Sequence, residues 1–178
     1  MGAQWVVMLL STFLLLSSSS RGLAQSYGSD FDEEPWVEQQ SKLPLFPRSE
    51  NLARISMDTL AGFDVSIDLS TVDIGADKIV RYVLVARSSR GSENITFEGL
   101  RCESRERKLY AIGKSDKTWG QVHSSSWSLY GANDRSYHHE LAREFFCPDL
   151  KTVSSVAEAL KNITQGGYRR NRHSGFPE

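Results

Sequence analysis

The chain lacks the marks that announce an activity. No G-x-S-x-G elbow, P-loop or G-x-G-x-x-G turn occurs in its 178 residues. An excess of charge of either sign is missing too. Twenty-one basic residues stand against 22 acidic ones, a formal charge of −1, which argues against a nucleic-acid surface. Cysteine is nearly absent: there are two, Cys102 and Cys147, and no C-x-x-C. That excludes a cysteine framework, and a chain of this length needs neither metal nor disulfide network to bury a core.

Long apolar runs are missing with one exception. Val6 to Leu16, VVMLLSTFLLL, is shorter than the roughly 20 residues of a membrane span. Gly22-Leu23-Ala24 follows it with small residues where signal peptidase accepts them, so cleavage is expected after Ala24. The rival is an uncleaved anchor, since no Lys or Arg precedes the run. No cysteine lies near the cut, which argues against a lipoprotein. The expected organisation is a signal peptide over 1–24, a disordered acidic arm over 25–35, one domain over 36–165 and a flexible basic tail over 166–178. In an exported chain two cysteines read as one bridge, Cys102–Cys147. A redox-active or nucleophilic cysteine is the alternative, without local support.

What is present is a β-rich body followed by helices. Phe63–Leu69 (FDVSIDL) alternates, with Asp64 and Asp68 on an expected solvated face. Thr71–Lys78 reads as a turn. Ile79–Arg87 carries apolar residues on both faces and is expected to be a central strand. A polar turn, SSRGSE, leads to Asn94–Cys102, whose apolar set changes phase at Gly99, the mark of a bulge or sharp bend. Lys108–Ile112 and a short edge strand within Thr118–Val122 continue a meander. Leu52–Met57 is ambiguous. Ser136–Cys147 reads as a helix capped by Ser136, with His138, Leu141, Ala142 and Phe145 on one face and Pro148 as its stop. Thr152–Ile163 reads as a second, with Val153, Val156, Ala157, Leu160 and Ile163 inward and Gly166-Gly167 beyond its end. The fold class expected is α+β: an antiparallel β-meander of four or five strands with two C-terminal helices packed on it and one disulfide.

Few residues bear chemistry. Tyr137-His138-His139-Glu140 invites a zinc or acid–base reading, but neighbouring helical residues diverge by about 100°, and the second histidine of an H-E-x-x-H is Arg143 here. His138 reads instead as a core-edge histidine. Trp119 and Trp127 bracket a serine-rich stretch; they are a candidate glycan or peptide platform, or simply packing over a sheet edge. In the arm, Trp36, Leu45 and Phe46 are expected to pack on the body; Pro44-Leu-Phe-Pro47 also matches P-x-x-P. Arg81, Glu98 and Arg101 read as strand-face ion pairs. Asn94-Ile-Thr96 and Asn162-Ile-Thr164 match the glycosylation pattern.

Asp73-Ile-Gly-Ala-Asp-Lys-Ile-Val-Arg-Tyr-Val-Leu-Val-Ala-Arg-Ser, Phe97-Glu-Gly-Leu-Arg-Cys102, Lys108-Leu-Tyr-Ala-Ile-Gly with Trp119, and Leu141-Ala-Arg-Glu-Phe-Phe-Cys-Pro148 resemble the cryptic-neisserial-protein-like family. The likeness runs from about Trp36 to Ile163. It implies an exported protein of a Gram-negative bacterium, periplasmic or at the outer envelope, and its cysteine pair suits the bridge. It brings no catalytic residues with it.

The reading is therefore a periplasmic, non-enzymatic binding or interaction module with no cofactor and no metal. The sequence does not name its partner: an envelope protein or a small ligand is open, nucleic acid is not expected, and no span is expected after signal removal. The alternatives are a small hydrolase or metal-dependent enzyme using His138, His139 and Glu140, and a carrier of a small apolar ligand, which needs a cavity between sheet and helices.

Overall fold

The computed structural model describes residues 35–123, 125–130 and 137–168. The expected signal peptide, most of the acidic arm, the Ser136 cap and nearly all of the basic tail lie outside them. Seven strands form one antiparallel sheet: β1 (Leu52–Ile55), β2 (Phe63–Ile74), β3 (Ile79–Ser88), β4 (Glu93–Arg101), β5 (Glu106–Gly113), β6 (Trp119–Gln121) and β7 (Ser128–Leu129). Spatial order follows chain order from β1 to β6, and β7 pairs with β5. The meander is thus larger than expected by β1 and β7, both too short to show a clear period.

Strand β3 is central, and every residue from Ile79 to Ala86 is buried. Val80, Tyr82 and Leu84 point to one side with Val65, Ile67 and Leu100. Val83 and Val85 point to the other with Ile95, Phe97 and Ala111. A strand covered on both faces must be apolar at both parities, and that is what its sequence carries.

Three expectations are corrected. The stretch from Thr71 to Ile74 is strand, not turn. It follows a bulge in which β2 advances five residues, Asp68 to Asp73, while β3 advances two, Val83 to Arg81. Thr71 closes the gap: its hydroxyl accepts from Val83 N at 3.0 Å and donates to Asp68 O at 2.7 Å. Asp68 is buried rather than solvated, because its carboxylate accepts from the Ser70 amide and hydroxyl within the same bulge. Gly99 is not a bulge. β4 pairs with β3 without a break through Arg81↔Gly99. The irregularity lies opposite, where the β4 partners jump from Ala111 to Leu109 and leave Tyr110 as the extra residue. Glycine is required at 99 because the Tyr110 ring lies against it; a Cβ there would sit 2.8 Å from Tyr110 Cε2.

The helices cover the face bearing Tyr82. Helix α1 (Tyr137–Leu141) passes into a π turn, Ala142–Phe146, with Cys147 N donating to Ala142 O at 2.6 Å. The wider turn buries both Phe145 and Phe146, which a regular helix would turn about 100° apart. Phe146 stacks on Tyr82 with centroids 4.9 Å apart. The next residue, Cys147, is bridged to Cys102 at a Cα separation of 5.4 Å. Helix α2 (Val156–Thr164) starts later than expected. Ser155 is its N-cap, accepting from Glu158 N, and Glu158 reaches back to Ser154. Val153 is buried ahead of the helix, Ala157 is exposed and Asn162 is inward. Asn162 Nδ2 donates to Phe145 O, so this amide is committed to the interior. Side chains of Leu141, Phe145 and Phe146 occupy the space between sheet and helices that a carrier would keep open.

Among the described residues no α-helix covers the face bearing Val83. Residues 36–48 lie along it without regular secondary structure, and this strap supplies much of its cover.

Candidate functional site

Besides Asp68 in the β2 bulge and Asn162 against Phe145 O, the buried polar groups fall into two networks, one on each face of the sheet. On the helix face the centre is Glu98. Strand parity puts it beside Leu100 and Cys102, and it is buried. Its carboxylate receives the Tyr82 hydroxyl at 2.9 Å, the Tyr137 hydroxyl at 2.7 Å and His138 Nε2 at 3.0 Å. Burial alone would raise its pKa; the hydrogen bond and charge of His138, with the Tyr137 hydroxyl, outweigh that and hold it below the ordinary range. An ionised carboxylate only accepts, so the proton lies on His138 Nε2. Tyr82 is pushed upward by burial and by the Glu98 charge. The arrangement holds a carboxylate inside the protein and gives it three donors.

On the strap face two acids lead. Asp77, in the turn before β3, is buried and receives Arg81 at 2.6 and 3.2 Å, Gln39 N at 2.9 Å and Ile79 N at 3.2 Å. Burial would raise this carboxyl, but Arg81 and the two amides hold it below the usual range. Arg81 also donates to Gln39 O, and its Nε has no acceptor among the described residues. Glu38, on the strap, sits in a socket of donors: Lys108 Nζ at 2.8 Å, Tyr110 OH at 2.9 Å and Trp127 Nε1 at 2.9 Å. These bonds lower its pKa against a desolvation that would raise it. Trp36 Nε1 donates to Asp77 O, and the Arg101 guanidinium lies 3.9 Å from the centre of the Trp36 ring. Further along, Trp119 Nε1 donates to Pro44 O, and the Trp119 ring packs on Phe46.

The sequence-based candidates separate accordingly. Cys102 and Cys147 form the bridge. His138 belongs to the Glu98 network. His139 is half-buried and joins neither network. Glu140 clasps a neighbouring turn, accepting from Asp58 N, Thr59 N and the Thr59 hydroxyl. No three His, Cys, Asp or Glu groups converge to hold a metal among the described residues. Trp119 and Trp127 hold different parts of the strap and do not pair with each other. Arg81 and Glu98 do not form a shared strand-face ion pair: they project to opposite faces of the sheet, and Arg101 pairs with Glu106 at 3.2 Å. Leu45 does not pack on the body. Asp77 and Glu38 escaped the sequence reading, and Glu98 was read there as a strand-face ion-pair residue rather than the centre of a buried network. The available signal was a charged residue inside a stretch apolar at both parities, as at Glu98 and Arg81.

One antiparallel meander, stapled to its helices by a disulfide and strapped on its other face by its own N-terminal arm, defines a small α+β domain with paired interior charges. The chain belongs to the CNP1-like family, whose model matches residues 31–164. No curated protein and no solved structure matches it. No helix among the described residues is long and apolar enough to cross a membrane.

Proposed function

We propose that the protein is exported by a Gram-negative bacterium, cleaved after Ala24, and acts in the periplasm as a non-enzymatic interaction module that engages an envelope protein. The carrying observation is the outer side of the strap. Val37, Leu43 and Leu45 are 75%, 54% and 87% exposed on a segment whose inner side is tied down by polar bonds. Exposed apolar side chains on a held, extended backbone form a linear surface that a partner can cover at little ordering cost. The buried disulfide suits an oxidising compartment, and the apolar N-terminal run suits export.

The test is native mass spectrometry of the protein recovered from its own periplasm, with thiol alkylation. The expected species begins at Gln25, has no reactive thiol and carries a protein partner that Leu43→Ser/Leu45→Ser no longer retains. Recovery from the cytoplasm with free thiols sinks the export reading, and partner retention by the double variant sinks the strap.

A further inference from the structure

Beside the strap a cleft of about 310 Å³ opens between residues 39–44 and the β2 bulge. Gln39, Gln40, Lys42 and Asp73 line it, and their side chains make no hydrogen bond among the described residues. Arg81 lines it as well. That residue is only 4% exposed, and its Nε–H is buried without an acceptor. A guanidinium donor left unpaired in the interior costs more than a neutral one, and Arg81 is the buried charge that borders the cleft. Formal charges cancel: Lys42 balances Asp73, and Asp77 balances Arg81. An anion gains no net attraction there and meets Asp73. An apolar ligand leaves the Arg81 Nε–H unsatisfied.

We infer that this cleft binds a neutral, hydroxyl-rich ligand, a sugar ring. Each sugar hydroxyl both donates and accepts. It can therefore meet two amides, a carboxylate, an ammonium and a guanidinium N–H in one small volume. Pro44 and Phe97 complete the lining with apolar surface for the C–H face of the ring. The volume lies at the small end of ligand sites, which suits one or two rings. The site adds a small ligand to the protein contact proposed above and rests on the reading of the chain as an exported, non-enzymatic interaction module.

The test is an NMR titration of isotope-labelled protein with glucose and with N-acetylglucosamine, run beside inorganic phosphate and propionate. A sugar at millimolar concentration should shift the amides of residues 39–42 and 73–75 and the Arg81 Nε–H resonance, while phosphate and propionate leave them in place. Gln40→Ala and Asp73→Ala alter exposed side chains that the fold does not use, and each should weaken sugar binding about tenfold, roughly 1.4 kcal/mol. No shift with either sugar, a response to phosphate or propionate instead, or unchanged affinity in both variants overturns the assignment. A silent titration with partner capture intact removes the ligand class and keeps the interaction role; cytoplasmic recovery removes the role itself.

Discussion

The two faces of the sheet are closed by different physics. On the helix face nineteen buried residues form one cluster, against five on the strap face among the described residues. Apolar burial contributes roughly 25 cal/mol per Å² and has no direction, so the helix face is held by area and by a covalent bond. The strap has little area to offer, since Val37, Leu43 and Leu45 point outward. It is held by directional bonds: Glu38 in its three-donor socket, Asp77 to Gln39 N, Trp119 to Pro44 O. Such bonds contribute about 1 kcal/mol each when water competes for the same donors. One face should therefore fail with the whole fold, while the other can be released alone.

The largest break is expected at the disulfide. Replacing both cysteines by alanine opens a loop of 45 residues and should cost about 4 kcal/mol in urea unfolding. A loss near zero would mean that helix burial alone fixes this face. Glu98→Ala comes next, at about 3 kcal/mol, because Tyr82, Tyr137 and His138 would keep buried donors with no acceptor. Glu98→Gln retains an accepting oxygen and should recover part of that. Equal losses in the two variants would show that the charge, not the hydrogen bonding, matters.

Glu38→Ala tests the other face and should cost about 1 kcal/mol. Its donors lie near the surface, where water can replace the carboxylate. The clearer readout is limited proteolysis: cleavage within residues 36–47 should accelerate while the unfolding midpoint barely moves. A midpoint shift as large as that of Glu98→Ala would erase the contrast between the faces. Acid should act on both. Glu98 and Glu38 are held below their ordinary value of 4.5 in the folded state, so the unfolded chain binds more protons as pH falls. Their stabilisation is full above 4.5 and is lost as pH drops through the folded values. Urea midpoints against pH should be level near neutrality and fall below 4.5, with a shallower fall in Glu98→Gln.

Much of the helix face was legible in the sequence, because its determinants are local. The apolar parity of Ile79–Ala86, the spacing of Leu141, Ala142 and Phe145, and a cysteine followed by proline need no knowledge of partners. Of the strap face only the packing of Trp36 and Phe46 was. Glu38 and its socket are separated by about 70 to 90 residues, and nothing near Glu38 distinguishes it from a solvated glutamate. Gly99 shows how a correct signal can be assigned to the wrong cause. A glycine in a strand marks either a bulge or a close approach, and the ring that approaches belongs to Tyr110, on the neighbouring strand. Asp68 misled for a related reason: period-2 reasoning holds only while the register does, and the bulge beginning there ends it.

The smallest structural effect is expected at Leu45, and that makes it the sharpest probe of function. Its side chain is 87% exposed, so Leu45→Ser should move stability by less than about 0.5 kcal/mol and leave proteolysis of the strap unchanged. If the strap is held in place in order to present its outer side, the same substitution should reduce partner retention in the native mass spectrum. Glu38→Ala should reduce it as well, by loosening the backbone that carries Leu45. The paired result separates presentation from packing. Loss of the partner in Glu38→Ala alone would place the contact on a part of the held strap other than Leu45. Loss in both variants, with stability intact in Leu45→Ser, would place it on the strap.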